Sequence, residues 1–261
     1  MLWGIHPVRA ALANAQRRID ACYATDNAYE HLQAGSGGAS VAGLHESALR
    51  RVTARDLDAL LPPGAVHQGI AIETAPLPHA DLDRILEAAP ETDNTADGPR
   101  ILLVLDQVTD PHNVGAILRS AAVFGAVALV TTDRHAPPES GTLAKSAAGA
   151  LDIVPWVRVS NLAQSLDAMK DAGFWVAGMA GDATLTVSSA RMKGVGTKLA
   201  LILGAEGAGL RRLTKEKCDI LVRIPMSYAN KEKCVNLIDS LNVSNAAAVA
   251  LYEINQTRED S

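Results

Sequence analysis

Five short apolar runs constrain this chain most: Ile101–Leu105, Val127–Thr131, Phe174–Ala180, Leu199–Leu203 and Ile220–Ile224. Each has the length and aliphatic content of a strand buried on both faces. Helical segments separate them, at His112–Phe124, Leu162–Ala172 and Leu210–Cys218. Buried strands alternating with helices predict an α/β domain whose mostly parallel sheet is covered on both sides. A last helix is expected from Ser240 to Glu253, with Ser240 as its N-cap, Asn242 inside its first turn, and Leu241, Ala248, Leu251 and Tyr252 along one apolar stripe.

Upstream the pattern is mixed. An Ala-rich helix is expected over His6–Ile19, a break at Gly35-Ser36-Gly37-Gly38, a short helix over Arg55–Leu61 and a strand over Gly69–Thr74. Four prolines (Pro76, Pro78, Pro90, Pro99) mark residues 75–100 as a linker holding one helix, Leu82–Ala88. The expected organisation is a small α/β domain over 1–74, that linker, and the sheet domain over 101–257. With 48% apolar and 20% charged residues the chain can bury a core. No apolar run approaches a membrane span, and early arginines break any secretory pattern, so a cytoplasmic protein is expected. Three cysteines without a CxxC pair suggest reduced thiols and no metal site. A net charge of −5 disfavours a broadly basic nucleic-acid surface, yet Arg50, Arg51 and Arg55, then Arg211, Arg212, Lys215 and Lys217, and then Lys231 and Lys233, form local basic clusters.

Chemistry concentrates where strands give way to loops, the usual place for ligands in open α/β sheets. In Asp110-Pro111-His112-Asn113-Val114-Gly115-Ala116-Ile117-Leu118-Arg119 a turn leads into a helix. Arg119 would lie about two turns beyond His112, on a face with Asn113 and Ala116. Its planar fork suits a phosphate, and a surface ion pair explains it as well. Gly204-Ala205-Glu206-Gly207 follows a strand directly and lets backbone approach a ligand, with Glu206 also readable as a helix-start acid. Ile224-Pro225-Met226 ends the last strand, and Ser240-Leu241-Asn242 opens the last helix. No GxGxxG follows the first strand, which argues against a nucleotide-dependent oxidoreductase.

These segments resemble the three motifs of the SpoU/TrmH branch of the SPOUT methyltransferases, over about Ile101–Glu253 and including Lys145-Ser146-Ala147-Ala148-Gly149-Ala150. Trp3-Gly4-Ile5-His6-Pro7-Val8, with His67-Gln68-Gly69-Ile70, is similar to the small L30e-like RNA-binding domain of members that methylate a guanosine of large-subunit rRNA. The resemblance implies a trefoil-knot domain, S-adenosylmethionine as cofactor, transfer to a ribose 2′-hydroxyl of structured RNA, and a homodimer. It implies a cofactor pocket at Gly204, Ile224, Met226 and Leu241, and catalytic positions at Asn113, Arg119, Glu206, Ser240 and Asn242. A tRNA substrate, or a non-catalytic RNA-binding assembly factor of the same fold, is the alternative. One departure is the length of Ser227–Asp239, which is longer than the family's connection and falls beside the expected pocket.

Overall fold

A computed structural model describes residues 1–34, 48–88, 99–192, 198–227 and 240–256. The chain opens with β1 (Leu2–Trp3), α1 (Ile5–Ala13), β2 (Ile19–Ala24), α2 (Asp26–Ala34), β3 (Leu49–Arg51), α3 (Ala54–Leu60) and β4 (Ile70–Thr74). It continues through α4 (Leu82–Glu87), β5 (Arg100–Asp106), α5 (Pro111–Val123), β6 (Ala128–Thr132), α6 (Gly141–Ala147), β7 (Trp156–Val159) and α7 (Leu162–Asp171). It closes with β8 (Trp175–Met179), β9 (Leu185–Thr186), α8 (Val187–Met192), β10 (Lys198–Gly204), α9 (Arg212–Lys217), β11 (Ile220–Arg223) and α10 (Val243–Asn255). These elements fall into two compact units. One is Met1–His79 with Asp110–Arg119 and Pro137–Val154; the other is Ala80–Thr109, Ser120–Ala136 and Pro155–Ser261.

In the first unit a four-stranded sheet has the order β1-β4-β2-β3, with β4 antiparallel to both neighbours and β3 parallel to β2. Trp3, Ala21, Tyr23, Leu57, Leu61 and Ala71 form its apolar cluster. Helix α3 starts in a capping box, where Thr53 and Asp56 satisfy each other's backbone N–H. Those hydrogen bonds hold the Asp56 carboxyl below its usual range. The helix expected over His6–Ile19 stops at Ala13. Asn14 breaks it by taking the Gln16 N–H on its side chain, 3.0 Å away, and Ile19 then opens β2, paired with β4. Residues 35–38, expected as a break, lie outside the described residues.

This unit also holds a buried ionic cluster. Arg17 is bonded to Asp152 at 2.8 Å, to Glu139, and to the Ala75 carbonyl at 3.2 Å, and all three charged side chains are buried. Glu139 also accepts the Leu77 N–H, and Asn14 donates to Asp152. Residues 1–79 are therefore tied to the 137–154 segment by charge as well as by packing.

The second unit is built on a seven-stranded sheet, β7-β6-β5-β10-β8-β11-β9, in which every neighbouring pair is parallel. The expected α/β class and mostly parallel sheet are present, and the five expected strands recur within a residue or so. Strands β7 and β9 are additions. Trp156-Val157-Arg158-Val159 is four residues long and buries only alternate side chains, as an edge strand does, so it lacked the continuous apolar signature. Chain order runs outward from β5 to β6 and β7 on one side, while β10 and β8 lie on the other. The strand order thus reverses at the β5–β10 pair. Residues 80–87 of the expected linker pack as part of the second unit: Ala80 donates to the Trp156 carbonyl, and Leu82, Ile85 and Leu86 of α4 pack on the sheet's core. Residues 89–98 lie outside the described residues.

Helix α10 corrects two expectations. It begins at Val243, and its N-cap is Asn242 rather than Ser240. Its buried face is Val243, Ala247, Ala250, Leu251 and Ile254, leaving Leu241 and Tyr252 exposed. The apolar period was right, but its phase was set by a cap two residues later.

Burial pushes the thiols of Cys22 and Cys218 up to about 11, so both stay protonated near neutral pH. At pH 8, iodoacetamide followed by peptide mass spectrometry is expected to find both unmodified in the native protein and modified after denaturation. Rapid native labelling of Cys22 would refute its burial, and rapid labelling of the half-buried Cys218 would refute the raised thiol.

Candidate active site

The carboxyl ends of β8, β10 and β11 open into one cavity of about 240 Å³. That is slightly below the roughly 300–1,000 Å³ typical of ligand pockets. Residues 228–239, which include nearly all of the longer connection, lie outside the described residues. Gly204, Glu206, Ile224, Met226, Ser240 and Leu241 all line it, so six of the nine residues singled out from sequence meet at one place. Its apolar wall comes from Leu203, Leu210, Ile224, Leu241 and Val243.

Gly204 is required by close approach. A Cβ there would stand 2.2 Å from the carbonyl carbon of Gly209, because the loop folds back through a bridge between Ala205 and Gly209. The wall at this point is bare backbone, offering N–H and C=O groups to a ligand.

Asn242 is the seventh member. Its Oδ1 accepts the N–H of Ser244 at 2.9 Å and of Asn245 at 3.4 Å, and its Nδ2 donates to Glu206 Oε1 at 2.5 Å. One amide therefore caps α10 and fixes the carboxylate at the cavity. Replacing it with Ala is expected to cost about 1 kcal/mol of stability through the lost cap. Asn242→Asp can still cap but cannot donate and sets a second negative charge beside Glu206, so it should recover the cap while losing the Asn242–Glu206 contact. If Asp restores ligand affinity along with stability, the Glu206 contact is unimportant.

The other two expected residues lie on α5, in the first unit. Asp110 caps its start, accepting the N–H of His112 at 3.2 Å and of Asn113 at 3.3 Å. Asn113 is buried, whereas Arg119 is exposed and shares its face with His112 and Ala116. Six residues separate Asn113 from Arg119, which at 3.6 per turn puts them on different faces; the expected shared face is corrected. Arg119 makes no hydrogen bond or ion pair among the described residues. The Lys145–Ala150 motif also lies here. Lys145 donates to Gln68 Oε1 at 2.5 Å, and burial lowers the pKa of its ammonium. The same Gln68 oxygen accepts the Ile5 N–H at 3.3 Å, so three sequence motifs far apart in the chain converge on one side chain.

Sequence reasoning missed Met179–Asp182 and Lys215, which also line the cavity, with Lys215 3.6 Å from Asp182. The only signal was positional: the expected strand Phe174–Ala180 runs into this loop, which must emerge on the ligand side of a parallel sheet, but no motif marks Asp182. Also missed was Asp106, fully buried at the end of β5, which accepts the backbone N–H of Arg211 at 3.0 Å and its Nε at 2.6 Å.

Residues 100–252 match the SpoU rRNA Methylase family, and residues 1–80 match the RNA 2′-O ribose methyltransferase substrate binding family. The 23S rRNA (guanosine-2′-O-)-methyltransferase RlmB of Photobacterium profundum is 38% identical, over 99% of this chain and 98% of that protein. Its namesake from Coxiella burnetii is 34% identical over 99% and 96%. Among solved structures, the SpoU methyltransferase AviRb of Streptomyces viridochromogenes shares the fold, with TM-score 0.73 at 23% identity, covering 99% of this chain and 89% of that one. A second AviRb structure, in complex with AdoMet, has TM-score 0.71 at 24% identity, covering 100% and 90%.

Proposed function

Because this chain belongs to the SpoU rRNA Methylase family, we propose that it transfers a methyl group from S-adenosylmethionine to the ribose 2′-hydroxyl of a guanosine in large-subunit rRNA. One observation carries the reading: the glycine-walled cavity at the sheet's carboxyl edge gathers Gly204, Glu206, Ile224, Met226, Ser240 and Leu241.

The residues fit the cofactor. The apolar wall suits a flat adenine, and the bare backbone around Gly204 offers hydrogen bonds to its edge; among the charged lining residues Asp182 is paired with Lys215, and Glu206 is the carboxylate held toward the cavity by Asn242. When bound, S-adenosylmethionine supplies an electrophilic methyl group on a cationic sulfur. Glu206, held by Asn242, provides a fixed negative charge at the cavity and needs no reorientation during the reaction. Asn113, buried in the first turn of α5, steadies the helix that carries Arg119. Arg119 binds an RNA phosphate and offsets the charge that develops on the ribose oxygen. In this reading Arg119 contributes positioning and electrostatics, and the 2′-hydroxyl proton passes to solvent as the oxygen takes up the methyl group.

The active unit in this reading is a homodimer, with Arg119 acting across the interface and the sheet domain tied as a trefoil knot. Support for dimerisation is an apolar surface on the second unit: Val123, Val249 and Tyr252 are exposed, and Tyr252 stacks edge-on against Phe124. Light scattering should give twice the chain mass, and Val249→Glu with Tyr252→Glu should halve it. No described helix is long and apolar enough to cross a membrane. A cytoplasmic place of action belongs to the same proposal.

Titration calorimetry with S-adenosylmethionine, followed by tritiated methyl transfer to rRNA fragments, tests the function. Binding that Leu241→Trp abolishes, with label appearing on a ribose 2′-oxygen, is the expected result. Label on a base, or no transfer to any rRNA, would overturn it.

A further inference from the structure

The second unit has a larger cavity that the cofactor site does not use. It encloses about 560 Å³ at the carboxyl ends of β6 and β7, between the loop after β6, the start of α7 and the start of α9. Leu162, Ala163 and Leu213 supply apolar surface, with Leu213 half exposed. Arg134, His135 and Arg211 supply charge or hydrogen-bond donors, against Asp133 in the lining and the buried Asp106 behind Arg211.

The cations are placed with hydrogen bonds to spare. Arg211 is gripped at its backbone N–H and Nε by the buried Asp106, which leaves both Nη groups without a partner among the described residues. Arg134 has no hydrogen bond or ion pair among those residues. His135 Nδ1 is engaged with the Thr132 hydroxyl at 3.3 Å, so its Nε2 edge remains available. Two guanidinium groups beside an apolar floor match a phosphodiester and its attached base.

We propose that this cavity holds a nucleotide of the RNA substrate near the one being methylated, with its phosphate on Arg134 and Arg211 and its base against Leu213. The inference rests on the proposed methyltransferase activity. It favours a strand over a free nucleotide because one segment lines both cavities, with Gly204–Gly207, Gly209 and Leu210 in the cofactor cavity and Arg211, Leu213 and Thr214 in this one. A strand that presents a ribose at the first cavity passes the second along the same sheet edge.

The test uses the full-length protein, a rRNA fragment that it methylates, and Arg134→Glu, chosen because Arg134 is exposed and bonded to nothing described. Leu213→Ser is the second variant, removing the floor without touching a charge. Filter binding across a salt series should show RNA affinity for Arg134→Glu reduced at least about fivefold, with the slope of log K against log salt shallower by about 0.7–0.9, the loss of one phosphate contact. Leu213→Ser should weaken binding with the slope unchanged, and calorimetry should give both variants the wild-type affinity for S-adenosylmethionine. Unchanged RNA affinity and slope in Arg134→Glu, with a wild type that methylates rRNA, would overturn the cavity's role alone. So would guanosine monophosphate binding here while RNA binding ignores both substitutions. A wild type that transfers no methyl group to rRNA would remove the activity, and this inference with it.

Discussion

Arg119→Ala is expected to slow methyl transfer by about 10²–10³-fold, the usual cost of removing one preorganised donor from a developing negative charge. Stability should stay within about 0.5 kcal/mol of wild type, because Arg119 is exposed and bonds to nothing among the described residues. Affinity for S-adenosylmethionine should also hold, since Arg119 lies outside the set of residues lining that cavity. Arg119→Lys restores the charge but not the planar fork, so it should recover little of the loss if two phosphate or ribose oxygens are held at once. The measurement is single-turnover transfer at saturating cofactor, with thermal unfolding and calorimetry on the same preparations. Near-normal turnover in Arg119→Ala would remove Arg119 from the reaction, and near-normal turnover in Arg119→Lys alone would show that its charge suffices without the fork.

How far the sequence could carry the reading depends on the distance over which each feature is determined. The sheet was legible because β5, β6, β8 and β10 are nearly continuous apolar runs, a signal contained in five to seven residues. Strand β7 was not, since at the sheet edge it alternates buried and half-exposed residues and carries Arg158. The start of α10 shows the same limit. Ser240 and Asn242 are both good caps in isolation. Asn242 is the one used, and its amide is also bonded to Glu206, 36 residues earlier in the chain. The gathering of the cavity residues was legible only through family resemblance. No local pattern relates Gly204 to Leu241, and the loop after β8 lacked a motif to draw attention to Asp182. The division of the chain was harder still. A Pro-rich stretch marks a boundary near residue 75, yet the first compact unit also takes in Asp110–Arg119 and Pro137–Val154. What holds the last of these in that unit includes Arg17, whose partners are 122 and 135 residues away.

That cluster gives the largest expected effect on stability. Arg17→Ala should destabilise the protein by about 3–5 kcal/mol, because removing one partner of a buried ion pair strands the other without water or counter-charge. Here two carboxylates, Glu139 and Asp152, would be stranded together; their side chains are 8% and 1% exposed. The Ala75 carbonyl would lose a donor as well. The sign of a compensating change separates charge from packing. Arg17→Met with Glu139→Gln and Asp152→Asn removes all the charge at similar volume, and should recover much of the loss, since a buried ion pair contributes little beyond a neutral, well-packed replacement. Equilibrium urea unfolding of the single and triple variants measures both. A single variant within about 1 kcal/mol of wild type would mean that the site relaxes or admits water, and the cluster would not be what ties residues 1–79 to the 137–154 segment. A single variant that is badly destabilised, with no recovery in the triple variant, would assign the loss to the packed Arg17 stem rather than its charge.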